Sequence, residues 1–302
     1  MVRTEDNTVT FKSGFVAIAG APNVGKSTLM NRILGEKISI TSSKPQTTRN
    51  RILGVLHRPN AQLVFIDTPG IHKARSPLNI RIVDTALSVL GDVDLILLVA
   101  DASEPDSESE AVLINKLHNQ NRPVLLVLNK IDLIKKSQHS EIIEKASGRY
   151  LFEKVVPVSA KHGSGIDALV QTMEALLPQG PPFFPSESLT DLPERFIAAE
   201  MIREKVFRLT GQEIPYATAV TVDLFQVDDE TSLVKIDASI HVERDSQKGI
   251  IIGKNGAKLK EIGAAARKEI EKMVGAKVFL KLFVRVQKNW SKDTKALRRF
   301  GY

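Results

Sequence analysis

The sequence predicts an α/β protein: a doubly wound, mostly parallel domain followed by a smaller α+β domain. Short apolar runs typical of buried strands alternate with helical patterns through the first 178 residues. A proline-rich stretch at 178–185 then ends that alternation. Beyond it, the order changes to helix, two strands, two helices and a strand, and the charge becomes strongly positive.

Composition limits the classes of protein that need to be considered. With 302 residues, the chain is long enough for two domains with separate cores. It contains no cysteine, which excludes disulfides, thiolate metal sites and a cysteine nucleophile. The first residues do not resemble a signal peptide, and no apolar run approaches the roughly 18 residues of a membrane span. We therefore expect a cytoplasmic protein.

The net charge of +7 originates in the last part of the chain. Residues 241–302 contain 16 Lys and Arg against 6 Asp and Glu, whereas residues 1–240 contain 26 against 29. This asymmetry favours a polyanionic partner, with nucleic acid first and an acidic membrane surface second. A solvated basic surface without a partner would give the same composition.

The first strand, loop and helix form a phosphate-binding pattern. An apolar run at 15–19 precedes a glycine loop, and a helical pattern at 28–34 follows it. The loop has the P-loop spacing GxxxxGK[ST], whose backbone N–H groups and helix start favour a polyphosphate. Lys26 would supply charge to the β- and γ-phosphates, and Ser27 a ligand for Mg²⁺. The loop residues are Gly20, Ala21, Pro22, Asn23, Val24, Gly25, Lys26 and Ser27.

The next elements complete the first domain. Residues 37–50 form a polar loop, and residues 51–57 and 62–66 predict a hairpin, hence an antiparallel edge pair. Further strands are expected at 95–100 and 124–128, with a weak strand after Val155. The predicted helices lie at 79–90, 108–117, 141–150 and 166–177.

Three strands of this domain end in polar signatures, and strand ends meet at one edge of a doubly wound sheet. The Asp132 carboxylate can accept hydrogen bonds from guanine N1–H and N2–H₂, a donor pair that adenine lacks. A backbone N–H of the 159–161 segment suits guanine O6. The sequence therefore predicts a guanine nucleotide. Beyond the P-loop, its binding residues are Thr28, Asp67, Thr68, Pro69, Gly70, Asn129, Lys130, Asp132, Ser159, Ala160 and Lys161.

A magnesium ion and two switch segments follow from the same pattern. Asp67 would hold Mg²⁺ through water and the Gly70 N–H would sense the γ-phosphate. Thr47 and Thr48 both offer hydroxyls to the metal, and we favour Thr48. The predicted metal ligands are Ser27, Thr48 and Asp67. The predicted catalytic residues are Asn23, Lys26, Ser27, Thr48, Asp67 and Gly70.

Residue 71 departs from the Ras-like pattern. Ras-like GTPases have a glutamine there that orients the attacking water, and Ile71 cannot do so. We expect slow turnover, or a water held by other groups. Asn23 is a candidate for holding K⁺ near the phosphates; stabilising the loop is its alternative role.

The second domain has the αββααβ order with GxxG between consecutive helices, which is typical of a KH domain. Two of its assignments stay open. Ile251, Ile252 and Leu259 either line an apolar floor for bases or pack in the core. The tail with Trp290 and Phe300 either stacks on RNA or folds back. The predicted RNA-binding residues are Lys248, Ile251, Ile252, Gly253, Lys254, Asn255, Gly256, Lys258 and Lys260.

The combined motifs resemble the Era family of bacterial ribosome-associated GTPases over essentially the whole chain. The resemblance implies binding near the 3′ end of 16S ribosomal RNA and a role in 30S subunit assembly and maturation. It also implies that Ile71 is normal for this subgroup. A peripheral fraction on the inner face of the cell membrane is implied too, although nothing in the sequence shows it. The motifs that carry the resemblance are the P-loop, 45–49, 67–70, 129–132, 159–161 and 249–256.

These observations predict an enzyme that hydrolyses GTP to GDP and phosphate and thereby controls RNA binding. The expected domains are a GTPase domain at 1–178, a linker at 179–190 and a KH-type domain with a basic tail at 191–302. Mg²⁺ is the expected cofactor, with K⁺ as a further candidate, and a monomer is expected. The alternatives are an RNA-binding scaffold with a structural GTP and a membrane-recruited signalling GTPase.

Overall fold

The first part of the chain folds around a six-stranded sheet in the order β2-β3-β1-β4-β5-β6, in which only β2 is antiparallel to its neighbour. The structure is a computed structural model that describes residues 10–42, 44, 47–70, 83–84, 87–105, 107–118, 120–211 and 213–301. The strands are β1 (Lys12–Gly20), β2 (Ile52–Arg58), β3 (Ala61–Asp67), β4 (Leu95–Asp101), β5 (Val124–Asn129) and β6 (Lys154–Pro157).

Helices cover both faces of this sheet, which explains why its central strands are continuous apolar runs. Every residue of β3, β4 and β5 is buried. Two separate apolar clusters form, one on each face. Residues 83–84 and 87–89 are helical and belong to the helix predicted at 79–90, the rest of which lies outside the described residues. The bounded helices are α1 (Lys26–Leu34), α2 (Ser107–Leu117), α3 (His139–Ser147) and α4 (Ile166–Leu176).

A three-stranded sheet organises the second part of the chain, in the order β7-β8-β9 with β8 and β9 parallel. Helices pack on one face and bury a third apolar cluster. The predicted fold class is therefore confirmed: a doubly wound P-loop domain followed by a KH-type domain. The elements are α5 (Glu194–Leu209), β7 (Ala219–Val227), β8 (Val234–Val242), α6 (Asp245–Ile252), α7 (Ala257–Val274), β9 (Val278–Val286) and α8 (Thr294–Arg299).

The predicted boundaries differ from these elements by a few residues. The helix before the GxxG loop begins at Asp245, because the Gln247 side chain accepts hydrogen bonds from the backbone N–H groups of Glu243 and Arg244 and caps the helix start. The helix expected at 141–150 runs from His139 to Ser147. Within the described ranges, no helix is both long and apolar enough to cross a membrane.

The C-terminal tail folds back onto the second domain, which decides between the two alternatives left open by the sequence. Trp290 is fully buried and donates from Nε1 to the Ala217 carbonyl at 3.0 Å. Phe300 is also buried, and its ring lies 4.4 Å from that of His241. Both aromatic side chains are thus used in packing, while Arg298 and Arg299 remain exposed.

The segment between the two sheets is an ordered strap along the antiparallel edge. Gln62 donates from Nε2 to the Phe184 carbonyl at 2.7 Å and accepts from two backbone N–H groups of the strap. The Thr190 hydroxyl donates to the Leu53 carbonyl at 2.6 Å. These bonds fix the path of the chain from the first sheet into α5.

Candidate functional site

The glycine loop between β1 and α1 is shaped by contact with the end of β5. Gly25 has a left-handed backbone with φ of 97°, and a Cβ there would lie 2.3 Å from the Asn129 side-chain nitrogen. Only glycine therefore fits this position. Asn129 donates from Nδ2 to the Val24 carbonyl at 2.8 Å and so ties the loop to the neighbouring strand end.

Lys26 lies inside this loop as a buried cation. Its Nζ donates to the carbonyls of Gly20 at 3.0 Å and Ala21 at 2.7 Å. Burial lowers the pKa of Lys26 to about 8, and the charge of Asp67 partly opposes that shift. The two carbonyls are neutral and do not balance the charge of this buried ammonium. A polyphosphate would balance it, so the loop suits an anion.

Three oxygen donors meet beside the start of α1. The Ser27 hydroxyl donates to Asp67 Oδ2 at 2.6 Å and lies 2.9 Å from the Thr48 hydroxyl. Thr47 instead donates its hydroxyl to the Lys44 carbonyl, so the geometry favours Thr48 as the metal ligand. Hydroxyl and carboxylate oxygens are the ligands that Mg²⁺ prefers, so these residues fit the ion.

Ser39 joins the same cluster, and sequence reasoning missed it. It is fully buried and donates from its hydroxyl to Asp67 Oδ2 at 2.8 Å. Burial raises the pKa of Asp67, while the bonds from Ser27 and Ser39 and the charge of Lys26 lower it. No spacing rule marks Ser39, because it lies between two buried isoleucines in a loop without a repeating pattern.

The predicted guanine-recognition residues lie together at the ends of β5 and β6. Ser159 donates its hydroxyl to Asp132 Oδ1 at 2.5 Å, and that bond is the main reason why the pKa of Asp132 is lowered. Asp132 is exposed at this edge of the sheet. The Ala160 N–H donates to Asn129 Oδ1 at 2.9 Å, because Asn129 bridges the two loops, so this N–H is already occupied.

Asp101, at the end of β4, is a second residue that the sequence analysis missed. Its carboxylate lies 2.5 Å from Lys130 Nζ and also accepts from the backbone and hydroxyl of Ser103. Lys130 itself has a left-handed backbone with φ of 64°. The ion pair holds the Lys130 side chain beside the cleft.

The described residues enclose a cleft of about 160 Å³ over the P-loop. Ala21, Val24, Thr68 and Pro69 are buried and do not line the cleft. Lys161 is exposed beyond it. Ile71 lies outside the described residues. The cleft is lined by Pro22, Asn23, Gly25, Lys26, Ser27, Thr28, Ile40, Thr41, Ser42, Thr47, Thr48, Gly70 and Lys130.

A second concave site, of about 490 Å³, lies between α7 and β9. It begins at the GxxG loop, where Gly253 has a φ of 71° and a Cβ would meet that of Lys258 at 2.7 Å. Its floor is apolar and its rim carries three cations. The lining residues are Gly256, Leu259, Lys260, Gly263, Ala264, Arg267, Leu280, Lys281 and Leu282. We call this site the KH groove.

The structure corrects part of the predicted RNA-binding set. Ile251 is fully buried in the second-domain core, because it lies on the inward face of α6, so its side chain cannot contact RNA. Ile252 and Lys248 are half-buried and do not line the groove, whereas Leu259 does. Lys258 pairs with Glu261 at 2.7 Å. Lys254 and Asn255 are exposed at the tip of the GxxG loop.

Arg267 and Lys281 were missed because they lie well beyond the GxxG loop in sequence. A usable signal existed, since Gly256, Lys260, Gly263 and Arg267 recur at helical spacing on one face of α7. Lys281 depends on the pairing of β9 into the sheet, which no local pattern reveals.

The fold and the two sites together define a guanine nucleotide-binding protein with an RNA-binding domain. Residues 15–130 match the family described as 50S ribosome-binding GTPase, and residues 213–291 match the KH domain. The chain is 59% identical to the GTPase Era of Geobacter metallireducens over 97% of this chain and 98% of that protein. It is 50% identical to the GTPase Era of Syntrophus aciditrophicus over 97% and 96%. The chain belongs to the Era family of GTPases.

Two solved structures extend this similarity over both domains. One is a single-residue variant of Aquifex aeolicus Era bound to GDP·AlF₄⁻, with 41% identity and a TM-score of 0.93 over 97% of this chain and 99% of that one. The other is Era in complex with MgGDPNP and nucleotides 1506–1542 of 16S ribosomal RNA, with 42% identity, the same TM-score and the same coverage.

Proposed function

We propose that this chain hydrolyses GTP and uses the nucleotide state to control binding of 16S ribosomal RNA near its 3′ end during 30S subunit assembly. The observation that carries this proposal is the position of Thr48. Its hydroxyl lies 2.9 Å from that of Ser27 in the nucleotide cleft, and the same loop contacts the domain that holds the KH groove. A single loop thus joins the two sites.

In the nucleotide cleft, Lys26 would bind the β- and γ-phosphates, and Ser27, Thr48 and Asp67 would hold Mg²⁺. When bound, the ion neutralises charge that develops on the transferred phosphoryl group. Asp132 would accept two guanine N–H donors while the Ser159 hydroxyl donates to one of its remaining lone pairs.

Asn23 is exposed in the cleft with a left-handed backbone, where its amide oxygen could meet a monovalent cation. We propose K⁺ for this position, as a substitute for an arginine finger. Comparison of the GTP hydrolysis rates in KCl and in NaCl tests this proposal, and equal rates would contradict a role for K⁺.

The KH groove suits a single-stranded RNA. The two glycines of GxxG allow the sugar-phosphate backbone to approach closely, and such a loop clamps about four nucleotides. Lys260, Arg267 and Lys281 would neutralise phosphates along the rim while bases lie on Leu259 and its apolar neighbours. The solved relative with bound RNA contains a 16S fragment. The match to the family described as 50S ribosome-binding GTPase covers residues 15–130 and does not include the KH groove.

Two alternatives make different predictions. An RNA-binding scaffold with a structural GTP needs no hydrolysis, yet the cleft brings together a buried cation and three oxygens of the kind that Mg²⁺ prefers. A lipid-binding GTPase would need surface charge without a groove that has an apolar floor. We propose a monomeric cytoplasmic protein with the domain limits 1–178, 179–190 and 191–302; the peripheral membrane fraction rests on the family resemblance and is tested by cell fractionation.

Crosslinking the full chain to RNA in cell extract, followed by sequencing, tests the RNA assignment, and a GTP turnover assay on the same preparation tests the enzymatic one. Crosslinks concentrated at the 3′ end of 16S RNA, together with measurable turnover, are expected. Crosslinks without turnover would favour the scaffold.

A further inference from the structure

We propose that Arg49 and Arg203 are positioning residues for GTP hydrolysis: they fix the Thr48 loop onto the second domain and so hold Thr48 at the magnesium site. This inference rests on the proposed function. The KH-type domain would therefore help to assemble the metal site, although none of the residues that line the nucleotide cleft belongs to that domain.

Arg49, the residue after Thr48, extends into the second domain. It is 3% exposed, and its guanidinium donates to the carbonyls of Thr218 at 2.8 Å, Tyr216 at 2.9 Å and Pro215 at 3.1 Å. These acceptors all lie in one short segment just before β7. A planar guanidinium with several fixed donors matches such a fork of acceptors, which a lysine ammonium does not.

Two aromatic rings flank the same guanidinium. Its central carbon lies 5.8 Å from the ring centre of Phe207 on α5 and 6.0 Å from that of Trp290. Both distances fall within the range of a cation–π contact. The buried tail that carries Trp290 therefore forms part of the anchor, which gives the folded-back tail a role that its sequence does not suggest.

Arg203 holds the residue on the other side of Thr48. It is fully buried on α5 and donates to the Thr47 carbonyl at 2.5 Å. Glu200 orients it through two oxygens, at 2.7 and 2.6 Å. The residues before and after Thr48 are thus both bonded to the second domain, while the Thr48 hydroxyl points back to Ser27.

The first part of the loop is held as well, by Glu204 on α5. This carboxylate is fully buried, pairs with Lys37, and accepts from the Thr41 backbone at 3.2 Å. Arg208 donates to the Thr41 carbonyl at 3.1 Å. Because the loop is docked at both ends, these contacts restrict the position of the Thr48 hydroxyl independently of any bound ion.

The test uses Arg49→Ala and Arg203→Ala in the full chain, with exposed arginines nearby as matched controls. Arg51→Ala is the control for the loop, and Arg195→Ala is the control for α5. The main readout is the Mg²⁺ dependence of binding of a non-hydrolysable GTP analogue, with GDP affinity in the absence of Mg²⁺ measured alongside.

Each anchor variant should need about tenfold more Mg²⁺ for half-maximal binding of the analogue, because an undocked loop must be ordered when the ion binds. Mg²⁺-free GDP affinity should change less than twofold. Arg49→Lys should recover part of the loss. The turnover number should fall with little change in KM for GTP, because the ground-state phosphate contacts remain.

Loop docking has a readout that is independent of nucleotide. Tryptic cleavage within 37–49 should be several-fold faster in Arg203→Ala than in Arg195→Ala. If Arg49→Ala fails to fold, Arg203→Ala decides the question alone. Unchanged Mg²⁺ dependence in a folded anchor variant would overturn the proposal even if turnover falls. An absence of turnover in the unmodified protein would contradict the proposed function. The Mg²⁺ dependence of analogue binding would still test the positioning role of Arg49 and Arg203.

Discussion

The nucleotide cleft and the KH groove are encoded in different ways. The cleft is made mainly of short contiguous motifs at strand ends, in which the fit of Gly25 against Asn129 fixes the residue type through backbone geometry. The groove is made from the faces of α7 and β9, so its residues are spread over the sequence. A site made of local motifs can be identified from sequence alone. A site made of helix and strand faces can be identified only when the packing of those elements is known.

This difference also sets the expected size of mutational effects. In the cleft, one side chain provides a specific set of bonds that no neighbour can replace. In the groove, several cations share the attraction for the RNA backbone, so each contributes a small part. Substitutions in the cleft should therefore act strongly and selectively, and those on the groove rim weakly and additively.

The largest expected effect is a change of base specificity in Asp132→Asn. Hydrogen bonds to a charged group contribute about 1.5–3 kcal/mol each, so loss of two should weaken GTP binding by about 10²–10⁴-fold. Xanthosine triphosphate should bind better, because the amide can donate to the xanthine carbonyl. Titration calorimetry with each nucleotide measures both affinities, with Asp167→Asn on α4 as the control. Unchanged GTP affinity would show that Asp132 does not contact the base.

Gly256→Asp tests the groove where it meets the GxxG loop and should weaken RNA binding at least tenfold, since it places a negative charge where the RNA backbone would approach. Gly275→Asp is a matched control at the other end of α7. Both glycines have a left-handed backbone, with φ of 75° and 68°, and both have open space where a Cβ would lie. Equal losses in the two variants would mean that helix damage, rather than the groove, explains the effect. Fluorescence anisotropy with a 16S 3′-end oligonucleotide measures the RNA affinity of both variants.

The sequence predicted the first site more completely than the second for physical reasons. The P-loop, the Asp67 and Asn129 segments and Asp132 were identified because their spacing is local. Ser39 and Asp101 were not, since each reaches the site only through the tertiary fold. Ile251 was assigned to RNA although α6 turns it into the core, a choice of helix face that periodicity alone leaves open.

A moderate effect is expected from pH in the cleft. Burial lowers the pKa of Lys26 to about 8, and a bound polyphosphate raises it, so binding takes up a proton above that pH. GDP affinity should be flat below pH 8 and fall above it, approaching tenfold per pH unit. Mg²⁺-free dissociation constants at pH 7, 8 and 9 measure this. Lys26→Arg, which stays charged, should bind more weakly without the pH dependence. A flat profile for the unmodified protein would contradict the assignment.

The smallest effect concerns a single groove cation. Arg267→Ala should weaken RNA binding a few-fold and reduce the salt dependence by about 0.7 in the slope of log K against log salt concentration. Lys272→Ala removes an exposed cation of the same helix that does not line the groove. Titration at several KCl concentrations compares them. A larger loss for Lys272→Ala would place the RNA on another face of α7.

The central claim is that the nucleotide state controls the KH groove, because the Thr48 loop joins the two sites. For GTP to do this, its free energy of binding must differ between two arrangements of the loop and the second domain. By reciprocity, RNA must then tighten binding of the GTP form by the same factor.

The most direct measurement is RNA affinity with GDP and with a non-hydrolysable GTP analogue, both with Mg²⁺ at one salt concentration. The account predicts that affinity is higher with the analogue, by about 5–150-fold. Arg49→Ala should reduce that ratio toward one. Identical affinities in the unmodified protein would leave two independent sites on one chain and would contradict the account.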